Sequence, residues 1–90
     1  MNLEPKFIFL IKSCIKKYFP EAKIFIFGSR AKETNRKFSD IDIAIKTSKI
    51  NSKLLAKIRF ELEESALPYK VDVVDYDELD EKILVRAVEI

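Results

Sequence analysis

Apolar residues recur at helical spacing from Leu3 through Phe7, Leu10, Ile11, Cys14 and Ile15 to Tyr18. That period predicts an amphipathic helix over residues 3–18, capped by Asn2 and stopped by Pro20. Residues 22–27 form a β-branched and aromatic run that reads as a strand. Its far end is almost continuously apolar, which predicts burial on both faces. The run stops at Gly28-Ser29. Residues 29–34 can open a short helix, and the polar Asn35-Arg36-Lys37 reads as a loop.

Residues 40–46 alternate cleanly, with Ile41, Ile43 and Ile45 on one side and Asp40, Asp42 and Ala44 on the other. This predicts a second strand. Asn51 or Ser52 caps a second long helix with Leu54, Leu55, Ile58 and Leu62 on its inner stripe, and Pro68 closes that segment. Residues 69–74 read as a third strand. A last helix, capped by Asp77, carries Leu79, Ile83, Leu84, Ala87 and Val88. The order is α-β-(α)-β-α-β-α, an α/β arrangement of helices on a small sheet. The pattern leaves open whether the sheet is parallel or mixed.

Ninety residues fit a single domain, residues 1–90, with one small core and one site on its rim. The single cysteine excludes an internal disulfide framework, and the absence of histidine excludes Ser-His and Cys-His catalysis. Acid–base or metal chemistry therefore falls to the 15 carboxylates. No apolar stretch approaches the ~18–20 residues that span a bilayer, so no membrane role is expected. The first residues carry no basic run of a secretory signal. A lone thiol fits a reducing, cytoplasmic setting, and Cys14 lies on the apolar stripe as a core residue. The net charge of +2 provides no electrostatic case for direct nucleic-acid binding. Lys12, Lys16, Lys17 and Lys23 crowd the first quarter, as a solvated helix face or a basic docking surface. Phe9, Tyr18 and Tyr76 are candidates for a homo-oligomer or partner contact.

Two features carry chemistry. The only glycine, Gly28, lies between a hydrophobic strand and a helix start, followed by Ser29 and Arg30. Glycine permits a turn that other residues resist, and lets backbone N–H groups approach a phosphate. Ser29 adds a hydroxyl donor and Arg30 a planar cationic fork. A plain strand-to-helix turn also accounts for the glycine. The second feature is Asp40 and Asp42, at i and i+2 on one strand face, with Cα atoms about 6.5 Å apart. Neighbouring carboxylates repel and resist desolvation, where folding alone would favour valine or threonine. A pair of divalent cations would remove the conflict; a solvated edge would tolerate it. Asp72, between Val71 and Val73, would complete a three-carboxylate cluster if its strand adjoins that of Asp40. The alternative for Asp72 is a salt bridge to Lys46 or Lys70.

Gly28-Ser29, ten intervening residues and Asp40-Ile41-Asp42 resemble the signature of the DNA polymerase β nucleotidyltransferase superfamily. More narrowly, Gly28-Ser29-Arg30-Ala31-Lys32 with residues 39–45 resembles the minimal nucleotidyltransferases, the MNT antitoxin family. The resemblance runs over most of the chain. Val71-Asp72-Val73-Val74 matches the third-carboxylate strand, and residues 87–90 match a terminal helix and tail, as in a nearly complete chain. Glu33 departs from the glycine that this family often carries there, which bears on the conformation of the loop.

The resemblance implies a polymerase β-like fold, a small mixed sheet of three to four strands flanked by helices. It also implies that Asp40, Asp42 and Asp72 hold two Mg²⁺ ions, with Asp72 alternatively acting as base. Gly28, Ser29 and Arg30 would cradle the triphosphate of ATP. The implied reaction is transfer of AMP to a tyrosine of a partner HEPN-domain toxin, which silences it. A 90-residue unit offers a groove but little to enclose an acceptor, so a partner protein would supply the wall. A different class of function remains beside this one: a binding module that neutralises its partner by contact alone.

Overall fold

The computed structural model describes residues 3–28 and 40–90. The proposed triphosphate residues Ser29 and Arg30, the short helix expected over residues 29–34, the loop at 35–37, Glu33 and the Asn2 cap lie outside the described residues.

Helix α1 spans Pro5–Tyr18, two residues shorter at its start than the apolar period predicts. Proline at the first helical position is pre-organised for a helix start and lacks an N–H that would have no partner there. Glu4 occupies the N-cap position without a side-chain cap, and the helix ends at Phe19, ahead of Pro20. Helix α2, Ser52–Glu63, is capped by Asn51, whose Oδ1 accepts from the amides of Lys53 at 2.8 Å and Leu54 at 3.2 Å. It ends well before Pro68, where the Ser65 hydroxyl donates back to the Leu62 carbonyl.

Among the described residues the sheet has four strands: β1 (Lys23–Phe27), β2 (Ile41–Lys46), β3 (Val71–Asp75) and β4 (Val88–Glu89), in the order β3-β2-β1-β4. It is mixed. β1 runs antiparallel to β2 and β4, whereas β2 and β3 are parallel. The parallel pair needs a crossover, and α2 provides it.

Period-2 alternation divides the sheet into two faces. Ile24 and Ile26, their partners Ile45 and Ile43, and then Ile41 and Val73 are fully buried with Ile11 and Ile15 of α1 and Ile58 and Leu62 of α2. Each such side chain contributes about 1.5–3 kcal/mol by leaving water. The opposite face carries Phe25, Phe27, Asp42, Ala44, Asp72 and Val74. The two β1 phenylalanines there are only partly buried, so burial of both β1 faces is corrected to burial of one. Tyr76 covers part of this outer face, its ring 4.7 Å from that of Phe25.

The end of the chain departs from the single helix that its pattern predicts. Tyr76–Glu78 form one 3-10 turn, in which Asp75 rather than Asp77 is the cap. Leu79 is extended, and Asp80 then caps a four-residue helix α3, Glu81–Leu84. Val88 and Glu89 form β4 against Ile26 and Phe25, and the Ile90 amide donates to the Ile24 carbonyl at 2.9 Å. The terminal helix inferred from the family resemblance is thus a strand here. The reason is tertiary: one edge of β1 is free, and unpaired backbone groups on a strand edge are costly when covered.

Candidate active site

The β1 exit and the β2 and β3 entries meet at one end of the sheet. Phe27 opposes Asp42 across the antiparallel pair, and Asp42 opposes Asp72 across the parallel pair. Adjacent strands lie about 4.8 Å apart and opposed residues share a face, so the two carboxylates issue from neighbouring positions on the same side. The Ile41 amide donates to the Lys70 carbonyl at 2.9 Å, closing the ladder at its entry. Asp40 precedes β2 rather than opening it, so the strand begins one residue later than the alternation predicts. It still lines the same cavity as Asp42 and Asp72, a recess of about 670 Å³.

Burial differs among the three. Asp42 is half-buried, whereas Asp40 and Asp72 are exposed. Asp72 escapes the cost of a charge buried inside a strand because, among the described strands, β3 lies at the sheet edge and Asp72 itself is exposed. The cost falls on Asp42 instead. Burial pushes its carboxyl above the usual range, and the negative charges of Asp72 and Asp40 push it further. Among the described residues no ion pair or hydrogen bond serves any of the three carboxylates, and Asp72 pairs with neither Lys46 nor Lys70. Lys46 lies over the Tyr76 ring, 4.6 Å from its centroid.

Gly28 follows β1 with φ +76°, a left-handed conformation that favours glycine. A Cβ there would lie 2.5 Å from Oδ2 of Asp42. The glycine therefore does two things, turning the chain and leaving room for the carboxylate.

The donor chemistry suits a hard divalent cation: the three carboxylates offer oxygen ligands of like charge, and among the described residues none of them is ion-paired. Among the described residues, however, no group of three Asp, Glu, Cys or His side chains is gathered tightly enough to enclose one. The carboxylates share a recess and remain apart in it, as mutual repulsion favours.

Three lining residues have no signal in the sequence, Arg59 and Glu63 of α2 and Tyr69 before β3; Lys70, a candidate there only as a salt-bridge partner of Asp72, lines the cavity as well. Arg59 and Glu63 are one helical turn apart, but nothing in the sequence shows that this side of α2 borders the start of β3. Cys14, expected as a core residue, is half-buried and packs against the core from its edge. It sits beside Glu61, 3.8 Å from Oε2, and burial followed by that charge pushes its pKa up to about 11. No helix among the described residues is long and apolar enough to cross a membrane.

Comparison with known proteins agrees with this geometry. Residues 10–89 match the polymerase beta nucleotidyltransferase family. The probable protein adenylyltransferase MntA of Haemophilus influenzae is 31% identical over 78 residues, covering 84% of this chain and 68% of that protein. The fold is shared with a toxin–antitoxin complex solved with AMP-PNP (TM-score 0.73, 24% identity, 88% of this chain and 68% of the other). It is shared also with a mutant MntA-HpeT toxin–antitoxin complex (TM-score 0.74, 20% identity, 97% of this chain and 72% of the other). With aspartates opposed on its parallel pair, a glycine yielding space to one of them, and a match over most of its length, the chain belongs to the polymerase beta nucleotidyltransferase family.

Proposed function

We propose that this protein is a nucleotidyltransferase-type antitoxin that transfers AMP from ATP to a tyrosine hydroxyl of a partner HEPN-domain toxin. The observation that carries the reading is the placement of Asp40, Asp42 and Asp72 along one cavity, with Asp42 and Asp72 in register and Gly28 against Asp42. The adenylyltransferase name of the Haemophilus relative supports the reaction class, and the toxin–antitoxin complexes support a toxin partner and ATP.

In this reading Asp40, Asp42 and Asp72 hold two Mg²⁺ ions. Such a pair, when bound, neutralises phosphate charge and stabilises the attacking and leaving oxygens of an in-line displacement. Asp42 is the ligand with most to gain, because a cation offsets the burial and repulsion that oppose its charge. Asp72, more exposed, faces the side from which an acceptor approaches and orients or deprotonates its hydroxyl. Gly28, Ser29 and Arg30 receive the triphosphate. The acceptor oxygen attacks the α-phosphorus, the new O–P bond forms as the bond to the β-phosphate oxygen breaks, and pyrophosphate leaves. The open cavity leaves one wall for the partner to complete. A reducing cytoplasm fits both ATP supply and the single thiol.

The test incubates the protein with the product of its neighbouring gene, Mg²⁺ and ATP labelled in turn at the α- and γ-phosphate. The α-label should appear on a partner tyrosine and the γ-label should not. A stable complex that acquires no label overturns the reading. Neutralisation that survives Asp42→Asn would instead establish action by contact alone.

A further inference from the structure

Asp72 stands on an edge strand. Among the described residues β3 is hydrogen-bonded to β2 on one side and to no strand on the other, so no second described strand holds its register opposite Asp42. Edge strands fray and slip more readily than central ones. The residue after Asp72 is held in two ways. The Val73 side chain is fully buried in the core. The Val73 carbonyl accepts two hydrogen bonds from Arg59 of α2, one from Nε at 3.0 Å and one from Nη2.

Arg59 borders the same cavity as Asp40, Asp42, Glu63 and Asp72. Among the described residues it nevertheless forms an ion pair with none of them. Its fork is spent on a backbone carbonyl one residue from Asp72. A guanidinium bound directly to Asp72 would compete with any cation for that carboxylate. Held on the carbonyl, it braces the strand and leaves the carboxylate oxygens free.

We propose that Arg59 is a positioning residue: through the Val73 carbonyl it holds Asp72 opposite Asp42, and so sets how well the aspartates bind a divalent cation. The proposal rests on the reading of the three aspartates as cation ligands given above. Lysine keeps the charge but cannot donate twice from a planar fork, so Arg59→Lys should restore only part of what Arg59→Met removes.

The experiment measures thermal stabilisation of the intact chain by Mn²⁺ in the wild type, Arg59→Met, Arg59→Lys, Asp72→Asn and the Arg59→Met/Asp72→Asn double variant. Arg59→Met should raise the half-saturating Mn²⁺ concentration at least tenfold and Arg59→Lys by less. Arg59→Met should add nothing in the Asp72→Asn background, because both changes act through one carboxylate. Amide exchange without cation should quicken for Asp72 to Val74 in Arg59→Met, with β1 unchanged. Unaltered Mn²⁺ dependence in Arg59→Met, or an equal shift with and without Asp72, overturns the proposal. If the wild type gains nothing from Mn²⁺, the cation reading of the aspartates falls first. The amide-exchange result then decides whether Arg59 braces β3 at all. If Arg59→Met does not fold, Arg59→Lys carries the same comparisons.

Discussion

Gly28 and Asp42 occupy each other's space: a Cβ on the glycine would lie 2.5 Å from Oδ2 of the aspartate. The glycine also has φ +76°, so a side chain there meets two penalties at once. The left-handed backbone costs about 1–2 kcal/mol for an L-residue, and the carboxylate must move away. Gly28→Ala should lower stability by roughly that amount in a denaturant titration. It should also weaken divalent-cation binding and reduce AMP transfer at least tenfold. A variant that loses stability but transfers normally would show that the close approach matters only to folding.

Asp42 provides a pH signature. Its folded pKa is raised by burial and by Asp72 and Asp40. A raised carboxyl favours the protonated form in the fold. Stability from this group is therefore fully present below the ordinary value of 3.8 and is lost as pH rises through the folded pKa. Asp42→Asn removes that loss. In cation-free buffer at pH 7 the variant should melt higher than the wild type. Below pH 3.8 the difference should vanish. Thermal melts across pH 3–8 check both ends. The same variant should lose transfer by on the order of 10³-fold if the aspartates act as a unit.

Ile43 is fully buried at the centre of the sheet, between Ile26 of β1 and Val73 of β3. Ile43→Ala should cost about 2–5 kcal/mol in stability. Asp42 precedes it, so the damage should extend to cation binding. A loss below 1 kcal/mol in urea unfolding would contradict the packing described.

Cys14 should be inert at neutral pH. With its pKa pushed up to about 11 by burial and by Glu61, little thiolate forms below pH 9. Iodoacetamide should label the native chain far more slowly than the urea-unfolded chain. Glu61→Gln should speed native labelling, since it removes a charge that raises the thiol pKa. Equal rates in native and unfolded protein would contradict the environment described.

Much of this fold was legible in the residues themselves. The helical period of Leu3 to Tyr18, the alternation from Asp40 to Lys46 and the Asn51 cap are local signals, and local signals survive folding wherever nothing stronger opposes them. The Gly28 turn, the Asp-x-Asp pair and their spacing were readable for the same reason. The final segment was not. The apolar residues from Leu79 to Val88 fit a helix, but pairing with the open edge of β1 drew Val88 and Glu89 into a strand.

Nor does any local pattern tell which carboxylate bears the burial. The parallel pairing of β2 with β3 decided that, placing Asp72 on an exposed edge and Asp42 in the half-buried position beside Gly28. Arg59 became a neighbour of the aspartates only when α2 crossed over to β3. The residue types and their periods determined by themselves which elements form and which chemistry is available. Pairing, register and crossover, set by long-range burial and by the need to satisfy backbone polar groups, decided which of those groups meet.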